Sequence, residues 1–263
     1  MTAYILFLRR FPAHVGFGFM LTFFSSLGQT FLISLYVPHI LADLGLTNSS
    51  FGTMYAAATV SSSFLLMSFG GRIDHRPLKP YLYKSIAVLA ASTLMLGYVH
   101  NPLLLPLALL GLRFSGQGLF GHISQTVMGR YFEEDRGKAL SISSLGYSLG
   151  ELVFPVVLGA LIPLVGWRNS LFVNSLVLLL IILPAIRFLP VAELDLARSS
   201  GASRSGVEAK AQWGILKEKR FWSIAPSVVL LSLTTTGICT IWGGLFWLCA
   251  DPAQFQSAHG APC

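Results

Sequence analysis

Charge is what this sequence has least of. Only 11% of its 263 residues are Asp, Glu, Lys or Arg, against about 25% in a typical soluble domain. So little charge excludes an ordinary water-soluble globule. Cysteine is almost as sparse: Cys239, Cys249 and Cys263 all come late. They form no paired framework and have no metal-ligand spacing, so no metal site is expected. No cleavable leader is expected either, because Tyr4–Leu8 is too short for an apolar core and Arg9 and Arg10 follow it. Enzyme motifs are also missing. There is no His-Glu-x-x-His, no Gly-x-Ser-x-Gly and no phosphate-binding loop. No catalytic residue and no cofactor are expected, and a membrane-embedded enzyme is the weaker alternative.

Apolar residues make up 54% of the chain and gather in seven long runs: Val15–Pro38, Ser50–Gly71, Tyr81–Val99, Leu103–Gly129, Ala139–Val165, Asn169–Ile186 and Phe221–Ala250. A helix crosses the ~30 Å hydrocarbon core with about 20 such residues. The connections carry the basic residues on alternate sides. Arg9 and Arg10 precede the first run; Arg72, Arg76, Lys79 and Lys84 follow the second; Arg130, Arg136 and Lys138 follow the fourth. Arg187, Arg198, Arg204, Lys210, Lys217, Lys219 and Arg220 follow the sixth. Of the eighteen Lys and Arg, only Arg113 and Arg168 lie elsewhere. The positive-inside rule therefore predicts a cytoplasmic N-terminus. The net charge of +7 reports this topology. It does not point to nucleic acid, because the cations flank spans instead of sharing one face.

The expected fold is an all-α membrane protein: a six-helix bundle over residues 1–189, a cytoplasmic linker over 190–220 and a seventh transmembrane helix over 221–250. Ser199–Gly206 is small and polar, as a flexible linker would be. The first six runs split into two triplets of similar length. An odd number of spans sends the second triplet in from the opposite side, so two inverted three-helix repeats are expected. Residues 251–263 read as a tail that no further span follows, which suggests a truncated or frameshifted frame and a fragment that does not transport.

The second-to-third connection reads Gly70-Gly71-Arg72-Ile73-Asp74-His75-Arg76-Pro77-Leu78-Lys79. It resembles the Gly-x-x-x-Asp-x-x-Gly-Arg-Lys/Arg loop of the major facilitator superfamily of secondary transporters. Gly70, Asp74 and Lys79 match, Arg76 adds charge, and Pro77 and Leu78 depart from the pattern. Arg113-Phe114-Ser115-Gly116-Gln117-Gly118 resembles that family's fourth helix, and Gly146, Gly150, Pro155 and Gly159 its Gly- and Pro-rich fifth. Small residues at four-residue spacing let helices approach closely. The run from Gly116 through Lys138 is similar to the monocarboxylate and organic-anion branch. The resemblance implies alternating-access transport of a small solute across a bacterial inner membrane. It also implies a C-terminal half as natural packing partner. The only other partners expected are the lipid bilayer and the solute, with a coupling proton left open.

Arg113 lies ten residues past Leu103, about 15 Å deep and near the midplane. A charge there costs at least ~2.5 kcal/mol unless it meets a cavity or a partner. An α-helical wheel of 100° per residue puts Gln117 and Ser124 near Arg113, Gln125 further round and His122 opposite. Glu151 is the one carboxylate within a run, at a similar depth by residue count. An Arg113–Glu151 pair is expected, with a structural or a coupling role. The resemblance places the first and fourth spans around the central cavity, so Gln29 and Arg113 lead the pathway candidates, with Gln117, His122, Gln125 and Glu151 behind them. Interhelical hydrogen bonding is the alternative for such polar residues.

Overall fold

A computed structural model describes residues 2–74 and 76–195, with isolated positions between 222 and 234. The expected seventh helix, most of the linker and the tail lie outside the described residues. Within them the chain is helical throughout: α1 (Thr2–Arg10), α2 (Pro12–Ser25), α3 (Thr30–Leu44), α4 (Asn48–Gly70), α5 (Leu78–Tyr98), α6 (Leu105–Leu112), α7 (Gly121–Tyr131), α8 (Arg136–Val165) and α9 (Trp167–Phe188).

These helices make six spans. The first is α2 with α3, the fourth α6 with α7, and α4, α5, α8 and α9 are one span each. Four spans are long and apolar enough to cross a membrane by length and composition: Pro12–Leu44, Pro102–Tyr131, Arg136–Val165 and Trp167–Phe188. α4 and α5 match them in length with 23 and 21 residues. α4 is more polar because it carries Ser49, Ser50, Thr53, Thr59, Ser61, Ser62, Ser63 and Ser68. Several of these hydroxyls return a hydrogen bond to a carbonyl one turn back, as those of Thr59, Ser62 and Ser63 do. That satisfies them without a partner helix.

Two boundaries differ from the sequence reading. The first span does not stop at Pro38. α3 carries Pro38 inside it and runs to Leu44, ending at Gly45 with φ 62°. The left-handed turn that glycine adopts freely stops the helix, whereas the proline does not. The next helix starts three residues later, at Asn48, on a capping box in which the Thr47 hydroxyl accepts from the Ser50 amide and the Ser50 hydroxyl from the Thr47 amide. The chain beyond α9 does not leave the bundle at once. Val191 and Leu194 are buried, Glu193 bonds His14 at 2.9 Å, and an Asp195 oxygen accepts from the Leu78 amide that opens α5.

The packing pairs the spans in a regular way. The first lies against the fifth and the fourth against the second; the first meets the fourth, and the third meets the sixth. Exchanging the two triplets maps these four pairings onto one another. The third span also lies against the fourth, and the fourth against the fifth, without equally strong counterparts between the sixth and the first or the first and the second. Charged contacts gather at the two ends of the bundle. At one end Asp74 pairs with Arg130. At the other, Asp43 accepts from the Trp167 indole (3.0 Å) and from Arg168 (3.3 Å), while Arg168 also donates to the Gly97 and Val99 carbonyls at 3.0 and 2.7 Å. Arg168 thus caps carbonyls left open at the end of α5 and ties the ends of three spans together.

Candidate functional site

The first span is interrupted at its middle. α2 ends at Ser25, a single 3-10 turn covers Ser26–Gly28, and Gln29 is extended (φ −86°, ψ 156°) before α3 begins at Thr30. The fourth span is irregular where it touches this break. Arg113–Phe120 is a π-helix, with α6 and α7 regular on either side. The two backbones meet at glycines. A Cβ on Gly116 would lie 2.7 Å from the Gly28 Cα, and one on Gly28 would fall on the Leu112 carbonyl. Only glycine at both positions permits so close an approach. A π-turn widens the helix, which suits a stretch containing Gly116 and Gly118 and flanked by Gly111 and Gly121.

Arg113 opens the π-turn and is buried, with 9% of its surface exposed. Its Nη1 donates to the Thr30 hydroxyl at 3.1 Å, and its guanidinium lies 5.3 Å from the centre of the Tyr55 ring. Thr30 and Tyr55 hydroxyls are 2.9 Å apart. Arg113 Nε has no hydrogen-bond partner among the described residues. No described carboxylate forms an ion pair with Arg113.

The expected Arg113–Glu151 pair is therefore not formed. Glu151 is exposed on α8. The face of α8 that packs on α2 is its neighbour: Gly146, Gly150 and Phe154 are buried there, with Gly150 against Ser26 and Phe23. One residue turns a helix by 100°, so Glu151 leaves that contact. Arg113 meanwhile faces α3 and α4. Equal depth along two helices did not place the side chains on facing sides.

The polar arc expected from an α-helical wheel also breaks up. An i→i+5 turn does not advance 100° per residue, so that wheel fails across Arg113–Phe120. Gln117 is exposed, whereas Ser124 is fully buried and donates to the Gly18 carbonyl at 2.9 Å. Gln125 donates to Ser144 at 3.3 Å, and Tyr147 of α8 interacts with both Gln125 and Ser25. His122 sits 3.1 Å from the Gly70 carbonyl, tying the fourth span to the end of α4. Gln29 turns its amide back to the Ser25 hydroxyl at 3.3 Å. Pro155 and Gly159 are half-buried within an unbroken α8.

In the charged loop, Arg76 and Lys79 are exposed and Asp74 is half-buried. The Asp74–Arg130 pair joins the second-to-third connection to the end of α7. Sequence reasoning missed Arg130 as that partner, and it missed Thr30 and Tyr55 beside Arg113. A tyrosine within an otherwise small-residue and apolar span was the available signal for Tyr55.

The sequence profile of the Major Facilitator Superfamily matches residues 18–253. Over 162 residues the chain is 26% identical to the sialic acid transporter NanX of Escherichia coli strain K12, covering 59% of this chain and 38% of that protein. Over 192 residues it is 28% identical to the 4-hydroxybenzoate transporter PcaK of Pseudomonas aeruginosa, covering 71% of this chain and 42% of that protein. The chain thus spans about two fifths of the length of these curated relatives. No solved structure matches it.

Proposed function

Because the chain belongs to the Major Facilitator Superfamily, we propose that its six-span bundle is one wall of an alternating-access pathway for a small organic anion. The observation that carries this reading is Arg113: a buried cation near the middle of a span, with hydroxyl neighbours and no described carboxylate to neutralise it. A charge is kept at that depth at a cost, and such residues mark solute or ion pathways. Interrupted spans at corresponding positions of two triplets point to the same place. Both relatives carry the name of an acid as their solute, which agrees with a cationic site. Gln29 and Gln117 line the same region on this reading. On this reading Glu151 of α8 is the candidate acid for exchanging a coupling proton.

A single bundle has nothing to rock against, so liposomes containing residues 1–263 alone should show no saturable uptake. The anion reading is tested in a chimera. Residues 1–189 replace the corresponding bundle of the 4-hydroxybenzoate transporter. Uptake of organic acids that is lost on Arg113→Gln supports the reading. Uptake confined to neutral solutes would overturn it. The bacterial inner membrane and a cytoplasmic N-terminus belong to the same proposal.

A further inference from the structure

We propose that the break in the first span is itself a carboxylate site, in which the first turn of α3 and the guanidinium of Arg113 hold the anionic group together. This rests on the reading that the bundle serves an organic anion and says where that group sits.

α3 is fifteen residues long, and no side chain caps its N-terminus. Gln29 occupies the capping position but turns its amide away, to Ser25. The first amides of a helix have no carbonyl to bond within it, so they remain donors. They carry the positive end of the helix dipole. Here they open next to a half-buried Gln29 and Thr30, beside the exposed Gln117. Arg113 is aimed at the same turn. It bonds Thr30, the first helical residue, and is nine-tenths buried with its Nε unpartnered. The two features are independent, since one is a backbone interruption in the first span and the other a side chain from the fourth. Both present donors and positive charge, and no described acid pairs with Arg113. A carboxylate has two oxygens and no donor, so it can accept from the turn and the guanidinium at once. The Thr30 and Tyr55 hydroxyls, 2.9 Å apart, complete the polar rim.

The test places a carboxylate there permanently. Gln29→Asp puts an acidic cap on α3, where aspartate is among the best capping residues. The variant should melt higher than the parent without any ligand and should no longer respond to an added carboxylate. The probe is benzoate, added to the full chain in lipid nanodiscs, with benzamide as neutral isostere and equal sodium chloride as the salt control. At about five times its Kd, benzoate should raise the parent's melting temperature by about 2–4 °C. Benzamide and chloride should not. Two results would overturn the site: a benzoate shift that persists in Gln29→Asp, or a parent that responds to benzoate no more than to chloride. If the site fails while the chimera still takes up organic acids through Arg113, the transport reading stands without it. If the chimera takes up neutral solutes only, the transport reading fails whatever benzoate does.

Discussion

Arg113 and Arg168 show how much a single cation depends on what surrounds it. Arg113 is held by the Thr30 hydroxyl and by Tyr55, and Glu151 is out of its reach. A double-mutant cycle separates these partners. Arg113→Ala combined with Thr30→Val should show a coupling of about 1 kcal/mol, within the range for contacting residues. Arg113→Ala combined with Glu151→Ala should be additive within about 0.5 kcal/mol. Thermal unfolding of the single and double variants in detergent measures both, and strong coupling to Glu151 would show that the two charges meet after all. Arg168 is the opposite case, satisfied by Asp43 and two carbonyls. Bonds to a charged donor contribute about 1.5–3 kcal/mol each. Arg168→Ala should therefore lower stability by about 2 kcal/mol or more, while Arg168→Lys should restore only part of it because an ammonium lacks the fork geometry. The sequence made Arg113's depth legible, because depth is a count along one helix. Its neighbour was not legible, because that depends on the rotation of two helices and on a break in a third segment.

Lengths and order of the spans could be read from apolar runs, but the interruptions could not. Val15–Pro38 is apolar on both sides of Gln29, and Pro38, the obvious breaker, sits inside an intact helix. What breaks the span is the contact of Gly28 with Gly116, a tertiary event that leaves only two glycines as its trace. The contact predicts a graded series. Gly28→Ala drives a methyl into the Leu112 backbone and Gly146→Ala into Thr22 and the Phe19 carbonyl. Neither backbone can yield cheaply, so each should lose about 1–3 kcal/mol, the usual cost of overpacking. Gly52 of α4 has nothing within 4 Å of where its Cβ would be. Gly52→Ala should therefore be neutral or gain up to about 1 kcal/mol from helix propensity. Melting temperatures of the three variants decide it: equal effects at positions 28 and 52 would mean that the spans do not meet at glycine. The fifth-span glycines were legible from their four-residue spacing, whereas Gly28 belongs to no repeat.

At the scale of the whole molecule, charge and packing agree on two distinct ends. Arg130, Arg136 and Lys138 lie at the end where Asp74 pairs, and Lys138 bonds Asp135 at 2.6 Å. Among the described residues the opposite end carries Arg168, turned inward onto Asp43 and the α5 carbonyls. A cation spent on such bonds counts little toward retention on one side of the membrane, while Arg72, Arg76, Lys79 and Arg136 are exposed in or beside the short loops that the positive-inside rule weighs. The end bearing Asp74 should therefore be cytoplasmic. His100 and Glu134 are exposed at opposite ends of the bundle and suit a labelling test. With Cys239, Cys249 and Cys263 replaced by serine, His100→Cys should react with a membrane-impermeant maleimide in intact cells. Glu134→Cys should react only after the cells are permeabilised. The reverse pattern would place the N-terminus outside. It would also turn the loop carrying Asp74, Arg76 and Lys79 away from the cytoplasm, against the side on which the family resemblance puts it. Labelling at both positions from outside would mean that the bundle does not keep its two ends apart. The up-and-down order of six spans would then fail along with the orientation.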